Sequence, residues 1–326
     1  GFLDAINYTL KGKSVAVKVS SPLGDKIDCE YIKLANTAYI EVSKCIGLHL
    51  VKNHKNPLYT TTYGLGELIL HAINNGCNNF VIGIGGSCTN DGGVGLLQAL
   101  GYGFLDKNNE PISLGAIGLK DLVCISDKNA NKKLKECTFN IACDVTNPLV
   151  GQNGASFVFA KQKGASDLDI VNMDNWLQNY ANLTKKLYPT ANENAIMVGA
   201  SGGLGFAFKE YLGAKLLSGI ELVATNINLK EKIKNCDLVI VGEGKLDKQS
   251  LMGKAPIGIA KLSKSLGKKV IAFAGVIDLT EQEILCSDID FAYSIKPSGQ
   301  PLSVALEKQT AILNLTATVK KAFNNI

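Results

Sequence analysis

Arginine is missing from this sequence. All 34 basic positions among the 326 residues are lysines. That excludes bidentate guanidinium clamps on carboxylates or phosphates, and it excludes arginine fingers. Any phosphate bound here has to rely on lysine, backbone N–H groups and metal. Histidine is scarce as well. His49, His54 and His71 are the only three, none at zinc-site spacing from a cysteine or another histidine, so a zinc centre is not expected. Among nine cysteines there is no Cys-x-x-Cys pair. The odd count and wide spacing point to free thiols in a reducing cytosol, not to a disulfide framework. No apolar run reaches the roughly 20 residues of a membrane helix. The start, Gly-Phe-Leu-Asp, has neither the basic region nor the cleavage site of a signal peptide. A cytoplasmic protein without a membrane partner is the expectation. The net charge of +5 is spread along the chain, with short clusters such as Lys132-Lys133 and Lys320-Lys321 reading as solvated faces. Nucleic-acid binding is therefore not expected either.

What the chain does have is glycine in the right places. Between Gly83 and Gly95, six of thirteen residues are glycine. Phe80-Val81-Ile82 leads into this stretch as a buried strand, and Val94 to Leu100 leaves it with helical spacing. Bare glycines leave N–H groups uncovered and allow left-handed turns. Asn90 and Asp91 stand where a helix would begin. A strand, a bare loop and a helix N-terminus together suit an anionic ligand. The acidic side chain inside that loop suggests a metal ion or a hydroxyl proton nearby.

The rest of the chain can be read around this loop. Residues 1–12 read as the end of a helix, with Phe2, Leu3, Ile6 and Leu10 on one face and Gly12 as its stop. Strands 14–20, 28–34 and 38–43, separated by turn residues, predict an antiparallel meander. A helix is expected over 65–74, strands over 122–126 and 139–145, a short strand over 156–160, and a helix carrying Trp176, Tyr180, Leu183 and Leu187. From about 195 the texture changes. Gly199-Ala200-Ser201-Gly202-Gly203-Leu204-Gly205 opens a helix expected to run through Leu217. Strand 237–241, a helix to about Leu266 and strand 269–274 then alternate as in a parallel α/β sheet with right-handed crossovers. At this length and with 46% hydrophobic residues, two domains are expected.

Four carboxylates sit where this reading places strand ends. Asp91 follows the first strand and Asp144 follows Phe139–Cys143. Glu243 and Asp247 are read as lying just past the strand that ends at Val241. Each has a plain structural role available: helix cap for Asp91, Asx-turn for Asp144, capping and solubility for the pair. Lys254 follows Gly253, but the spacing is not that of a Walker A loop, and Ala255 replaces its metal-binding hydroxyl. Gly83-x-Gly85 lacks the third glycine of a dinucleotide fingerprint, since Cys88 stands there. Glycine-rich turns and carboxylates occur together here. Phosphoryl transfer needs donors for phosphate, carboxylates for Mg²⁺, and a carboxylate for the hydroxyl proton. A small-molecule kinase without arginine fits that inventory.

Seven segments then carry a specific resemblance. They are Asn56-Pro57 with Thr61-Thr62-Tyr63-Gly64, Gly85 to Gly93, and Cys143-Asp144-Val145-Thr146-Asn147-Pro148-Leu149. Gly154-Ala155, Gln162-Lys163-Gly164-Ala165 and Gly199 to Gly205 follow. The last runs from Val241 to Asp247 and on through Gln249-Ser250 to Gly253-Lys254-Ala255-Pro256. In this order, across essentially the whole chain, they resemble the bacterial-type (class I) glycerate kinase family. The resemblance implies ATP- and Mg²⁺-dependent phosphorylation of D-glycerate, usually to 2-phosphoglycerate. It implies two α/β domains with the site in the cleft between them. One is a discontinuous Rossmann-like parallel sheet, residues 1–12 plus 195–326, and the other an inserted mixed-sheet domain, 13–194.

On the kinase reading the expected roles are as follows. Asp247 or Asp91 accepts the glycerate hydroxyl proton. Glu243 and Asp144 hold Mg²⁺, directly or through water. Lys254 is grouped with the catalytic residues. Lys254 and Lys163 neutralise phosphate or carboxylate charge. Gly85, Gly86, Ser87, Thr89, Asn90, Gly202, Gly203 and Lys245 bind substrate or phosphate. Small-molecule substrates are the expected partners, with a homodimer left open. The sequence departs from the family at Cys88, often Ala, and at Lys245, often Arg. Family members also carry a segment before this start, with Asp-Ser-Phe-Lys-Gly-Ser and Asp-Gly-Gly-Glu-Gly motifs; Gly1 matches the last glycine of the second. A chain lacking that segment is the expectation. The alternatives are a non-catalytic relative that only binds ligand, or a kinase for a related small hydroxy acid.

Overall fold

The computed structural model describes residues 1–252 and 254–324; Gly253, part of the last matching segment, lies outside them. Contacts group the chain into two compact units, Gly1–Leu222 and Val223–Ile326.

The first unit opens with helix α1 (Phe2–Leu10), whose buried Leu3 and Ile6 face the sheet that follows. Strands β1 (Lys13–Ser20), β2 (Lys26–Leu34) and β3 (Thr37–Glu41) form the expected antiparallel meander, in the register Val15↔Tyr31 and Ile32↔Tyr39. Strand β3 then pairs in parallel with β4 (Asn79–Gly83), β4 with β7 (Thr138–Ala142), and β7 with β8 (Lys215–Leu217). The six-stranded order is β1-β2-β3-β4-β7-β8, and β5 (Gly103–Leu105) pairs with β6 (Cys124–Ser126) in a separate hairpin. β4 reads Asn-Phe-Val-Ile-Gly because a central parallel strand is covered on both faces. The helices of this unit are α2 (Ser43–Ile46), α3 (Tyr63–Asn74), α4 (Val94–Ala99), α5 (Ala155–Phe159), α6 (Asp167–Leu187) and α7 (Ala200–Leu212). α8 (Gly219–Asn226) crosses the division between units. The core holds Phe80 stacked on Phe139 at 4.8 Å and Tyr180 edge-on to Phe206 at 5.3 Å.

Two local expectations are corrected here. Residues 156–160 are not a strand: α5 covers 155–159, started by extended Gly154 and closed by Val158 N–H to Gly154 C=O at 3.1 Å. Its Phe-Val-Phe composition favours a strand, but packing against α6 and α7 decides for helix. The helix from 200 does not run through Leu217. It ends at Leu212, capped by left-handed Gly213, and Lys215–Leu217 turns into strand β8. Helix α1, which the resemblance assigned to the discontinuous Rossmann-like domain, packs on β2 and β3, and β8 pairs with β7.

The second unit holds α9 (Leu229–Lys234), β9 (Leu238–Leu246), α10 (Ala255–Ser265), β10 (Lys269–Ile277), α11 (Glu281–Leu285), β11 (Phe291–Ser294), α12 (Leu302–Ala305) and α13 (Lys308–Phe323). Its three strands are all parallel, in the order β11-β10-β9. Val239, Val241, Val270 and Ala272 pack on Ile257 and Ala260 of α10. Thr280 and Glu283 cap α11 reciprocally. The expected α/β class, one mixed sheet and one parallel sheet, is what these strands form. The nine cysteines are free thiols. Among the described residues no helix is long and apolar enough to cross a membrane.

Phe80→Ala removes a fully buried ring and is expected to lower unfolding free energy by about 3–5 kcal/mol. Phe291→Ala, at a ring 42% exposed, is expected to cost under about 1 kcal/mol. Urea-unfolding midpoints of the two variants measure the difference.

Candidate active site

In the first unit the carboxyl ends of β3, β4, β7 and β8 lie side by side, the usual place for a ligand in a parallel sheet. The turn after β4 is held by its carbonyls. Ile84 C=O accepts from Ser201 Oγ, Gly86 C=O from Leu48 N–H at 2.9 Å, and Cys88 C=O from Thr60 Oγ1 at 3.0 Å. Thr89 C=O accepts from Lys163 Nζ at 2.7 Å. Gly85 and Gly86 are exposed. Among the described residues nothing accepts from the N–H groups of Gly85, Gly86 or Ser87. Three successive N–H groups without an internal acceptor, in a turn with Gly86 at φ 78°, are available to an anion.

Asp91 is the centre of this loop, and it is 1% exposed. Its Oδ2 accepts from the Thr62 N–H and hydroxyl, both at 2.8 Å, and from Gly95 N–H at 3.3 Å. Oδ1 accepts from Gly93 N–H at 3.1 Å. Thr62 Oγ1 in turn takes Leu96 N–H at 2.8 Å. One carboxylate thus ties the N-termini of α3 and α4 together, where negative charge is favoured. Burial pushes its pKa up, while these donors pull the other way. Asn90 is also fully buried and donates to Ser156 Oγ at 2.9 Å.

The second glycine loop docks on the first. Ser201, Gly202 and Gly203 have successive positive φ of 55°, 71° and 89°. A Cβ on Gly202 would lie 2.1 Å from Thr89 C=O, and Gly92 N–H donates to Gly202 C=O at 2.9 Å. Glycine is required there by both backbone angle and space. Lys163 is 3% exposed and also reaches Ser87 Oγ at 3.3 Å. Gly85, Gly86, Ser87, Thr89, Asn90, Asp91, Lys163, Gly202 and Gly203 are therefore one cluster.

Asp144 stands apart from that network. It is exposed, and its Oδ1 accepts Gly219 N–H at 2.7 Å, at the start of α8. Glu41, at the end of β3, had no expected role. Its carboxylate takes Leu3 N–H at 3.0 Å and Ser43 Oγ at 2.9 Å, so it caps α1.

The second unit gathers its own polar set around β9. This strand pairs with β10 through Leu246, so Asp247 lies past its end as expected, whereas Glu243 lies inside it, a correction to its expected placement. Ser250, fully buried, joins the two carboxylates. Its hydroxyl donates to Glu243 Oε2 at 2.7 Å and accepts Asp247 N–H at 3.2 Å. Asp247 Oδ1 takes the N–H groups of Gln249 at 3.0 Å and Ser250 at 3.2 Å, an Asx-turn. Lys254 Nζ is 3.8 Å from Glu243 Oε1. Lys245 Nζ is 2.8 Å from Asp278 Oδ2 and 3.7 Å from Asp247 Oδ2. Burial alone would raise the Asp247 carboxyl, but the Ser250 and Gln249 N–H groups, with Lys245 and Lys254, hold it below the usual range. Asp278, through its contact with Lys245, raises that ammonium. Ser250 was within a matching segment without a role. Its place three residues after Asp247 is the signal that could have found it.

The sequence profile of the glycerate kinase family matches residues 1–325. The chain belongs to the glycerate kinase family. It is a kinase by that membership, as expected. Glycerate 2-kinase of Escherichia coli K12 is 44% identical over 301 residues, which is 91% of this chain and 79% of that protein. Glycerate kinase of Halalkalibacterium halodurans is 39% identical over 320 residues, 97% of this chain and 84% of that protein. The crystal structure of a candidate glycerate kinase 2 from Salmonella typhimurium LT2 superposes with a TM-score of 0.83 at 37% identity, covering 99% of this chain and 87% of that one.

Asp91→Ala strands four donors at once and is expected to cost about 2–5 kcal/mol of stability. Asp247→Ala is expected to leave the urea midpoint nearly unchanged. Equal midpoints for the two variants would refute a structural role for Asp91.

Proposed function

We propose that this chain transfers the γ-phosphoryl group of ATP to a hydroxyl of D-glycerate in the presence of Mg²⁺, giving 2-phosphoglycerate. The observation that carries this reading is the chemistry of the two polar sets in a family member. One is the run of N–H groups at Gly85–Ser87 that have no acceptor among the described residues, and the other a set of carboxylates and lysines on and beyond β9. The first suits the fixed negative charge of a carboxylate or phosphate. The second supplies a proton acceptor and cations for transferred phosphate.

Between the two candidate bases, Asp247 is assigned the role. All the hydrogen bonds of Asp91 are internal and its carboxylate is closed to solvent. The Asp247 carboxyl is held below the usual carboxylate range, and its Oδ2 lies 3.7 Å from Lys245 Nζ. In the proposed step the Asp247 carboxylate accepts the glycerate hydroxyl proton as that oxygen bonds to the γ-phosphorus. The bond to the β–γ bridging oxygen breaks and ADP departs. Lys254 and Lys245 balance charge on the transferred group.

Magnesium is tested against the donor set. Glu243, Ser250 and Asp247 present hard oxygen atoms within hydrogen-bond reach of one another. Among the described residues no three His, Cys, Asp or Glu side chains converge on a metal position. Mg²⁺ is commonly held by one or two carboxylates, with water and substrate phosphate completing its shell, so the residues fit. Glu243 is the carboxylate proposed to hold it, directly or through water. Bound there, it would neutralise charge developing on the phosphates.

ADP release from ATP and Mg²⁺ with D-glycerate tests the reading directly. Asp247→Asn is expected to lower kcat by about 10²–10⁴-fold with little change in KM. Turnover near wild type in that variant would remove Asp247 as the base. A folded wild type silent with D-glycerate but active on another small hydroxy acid would move the acceptor assignment.

A further inference from the structure

We propose that Lys163 is a positioning residue: a buried cation that holds the 85–89 loop in the shape that receives substrate, touches no substrate itself, and loosens the loop when it loses its proton. This rests on the reading of that loop as the anion-binding element of the kinase.

The geometry carries it. Of the four carbonyls that fix the turn after β4, three are held by neutral N–H or O–H donors, and only Thr89 C=O is held by an ammonium. A charge-assisted bond is roughly twice as strong as a neutral one. The same Nζ reaches Ser87 Oγ, so one side chain braces the loop on both sides of Cys88. Lys163 comes from a separate segment. It ends the short 3-10 turn Lys161–Lys163, closed by Gly164 at φ 100°, where a Cβ would lie 2.3 Å from Lys55 C=O. Its own backbone is therefore fixed, and its side chain is shut away from solvent.

A buried ammonium needs a partner of opposite charge, and this one has little. The titratable groups acting on it are Cys88 and Asp91, both in the loop. Burial pushes the Cys88 thiol up to about 12, so it is neutral at working pH. The Asp91 carboxylate is committed to Thr62, Gly93 and Gly95. The neighbouring α5 and α6 contribute Ser156 and Met173, which meet Asn90 and carry no charge. Burial accordingly lowers the Lys163 ammonium to about 8, with Cys88 and Asp91 opposing only in part.

Two consequences of opposite sign follow. Above pH about 8 the brace loses its charge, so substrate capture should fall. Stability should move the other way. The folded value lies below the unfolded one, so between them the unfolded chain binds more protons, and this group's contribution to stability rises with pH. A merely structural buried lysine would give the stability effect but not the fall in substrate capture.

The test compares the wild-type chain with Lys163→Met and Lys163→Arg over about pH 6.5 to 9.5. In the wild type, kcat/KM is expected to fall along an alkaline limb near pH 8. Lys163→Met is expected to lose about 10- to 100-fold in kcat/KM at neutral pH and to lack the limb. Lys163→Arg keeps a charge that does not titrate and is expected to stay active through it. A wild type without the limb, or a limb that persists in Lys163→Met, overturns the proposal. If the variants do not fold, lysine Nζ and Gly85–Ser87 amide NMR shifts of the wild type decide. One lysine and the loop amides titrating together near pH 8 support it, and separate titration overturns it. These shifts need no turnover, so failure of the kinase reading shows separately, as absence of ADP release at neutral pH.

Discussion

Four hydrogen bonds converge on the Asp91 carboxylate, and the first unit is arranged around them. A buried carboxylate is unfavourable unless donors surround it. Here the donors are a hydroxyl and backbone N–H groups that two helix N-termini cannot satisfy internally. Each side therefore removes the other's burial cost. The consequence is positional. With α3 and α4 anchored to one atom pair, the loop between β4 and α4 has little freedom left. Gly202 can then pack so closely that a Cβ there would lie 2.1 Å from Thr89 C=O, locking the second glycine loop onto the first.

That arrangement explains how much could be read beforehand. The meander β1–β3 was legible because turn residues punctuate alternating strands. The strand–loop–helix around Gly83–Gly95 was legible because composition changes abruptly at both ends. Short apolar runs were not. Residues 155–159 carry a strand-like composition and form a helix, since five residues hold too little periodicity to outweigh packing. The turn from α7 into β8 escaped for a related reason: only pairing with β7 makes a strand of Lys215–Leu217.

The candidate site shows a sharper limit. Residue type and order picked out Asp91, Lys163, Glu243 and Asp247, but burial divides them and burial is not written locally. Asp91 and Lys163 lie inside their loop, bonded to the backbone. Glu243 and Asp247 are only partly covered, and a serine that looked like an ordinary turn residue connects them. Ser250 matters because a buried hydroxyl both donates and accepts. It can therefore set the Glu243 carboxylate and the Asp247 backbone at once, a double duty that spacing alone does not reveal.

The missing arginine gives these choices a common logic. A guanidinium carries its own planar fork of donors and can recognise an anion from a flexible stem. A lysine is a point charge and gives little direction. In the proposed reading direction comes from the backbone: three N–H groups at Gly85–Ser87 without an acceptor among the described residues, in a turn whose carbonyls are held from elsewhere. Backbone donors are only as precise as the loop that carries them. That is why the loop is fixed through Ser201, Leu48, Thr60 and Lys163, each from a different part of the first unit. A loop proposed to recognise charge by shape needs rigid support, and a single buried lysine supplies a charge-assisted bond in that support at a position where burial works against its own charge.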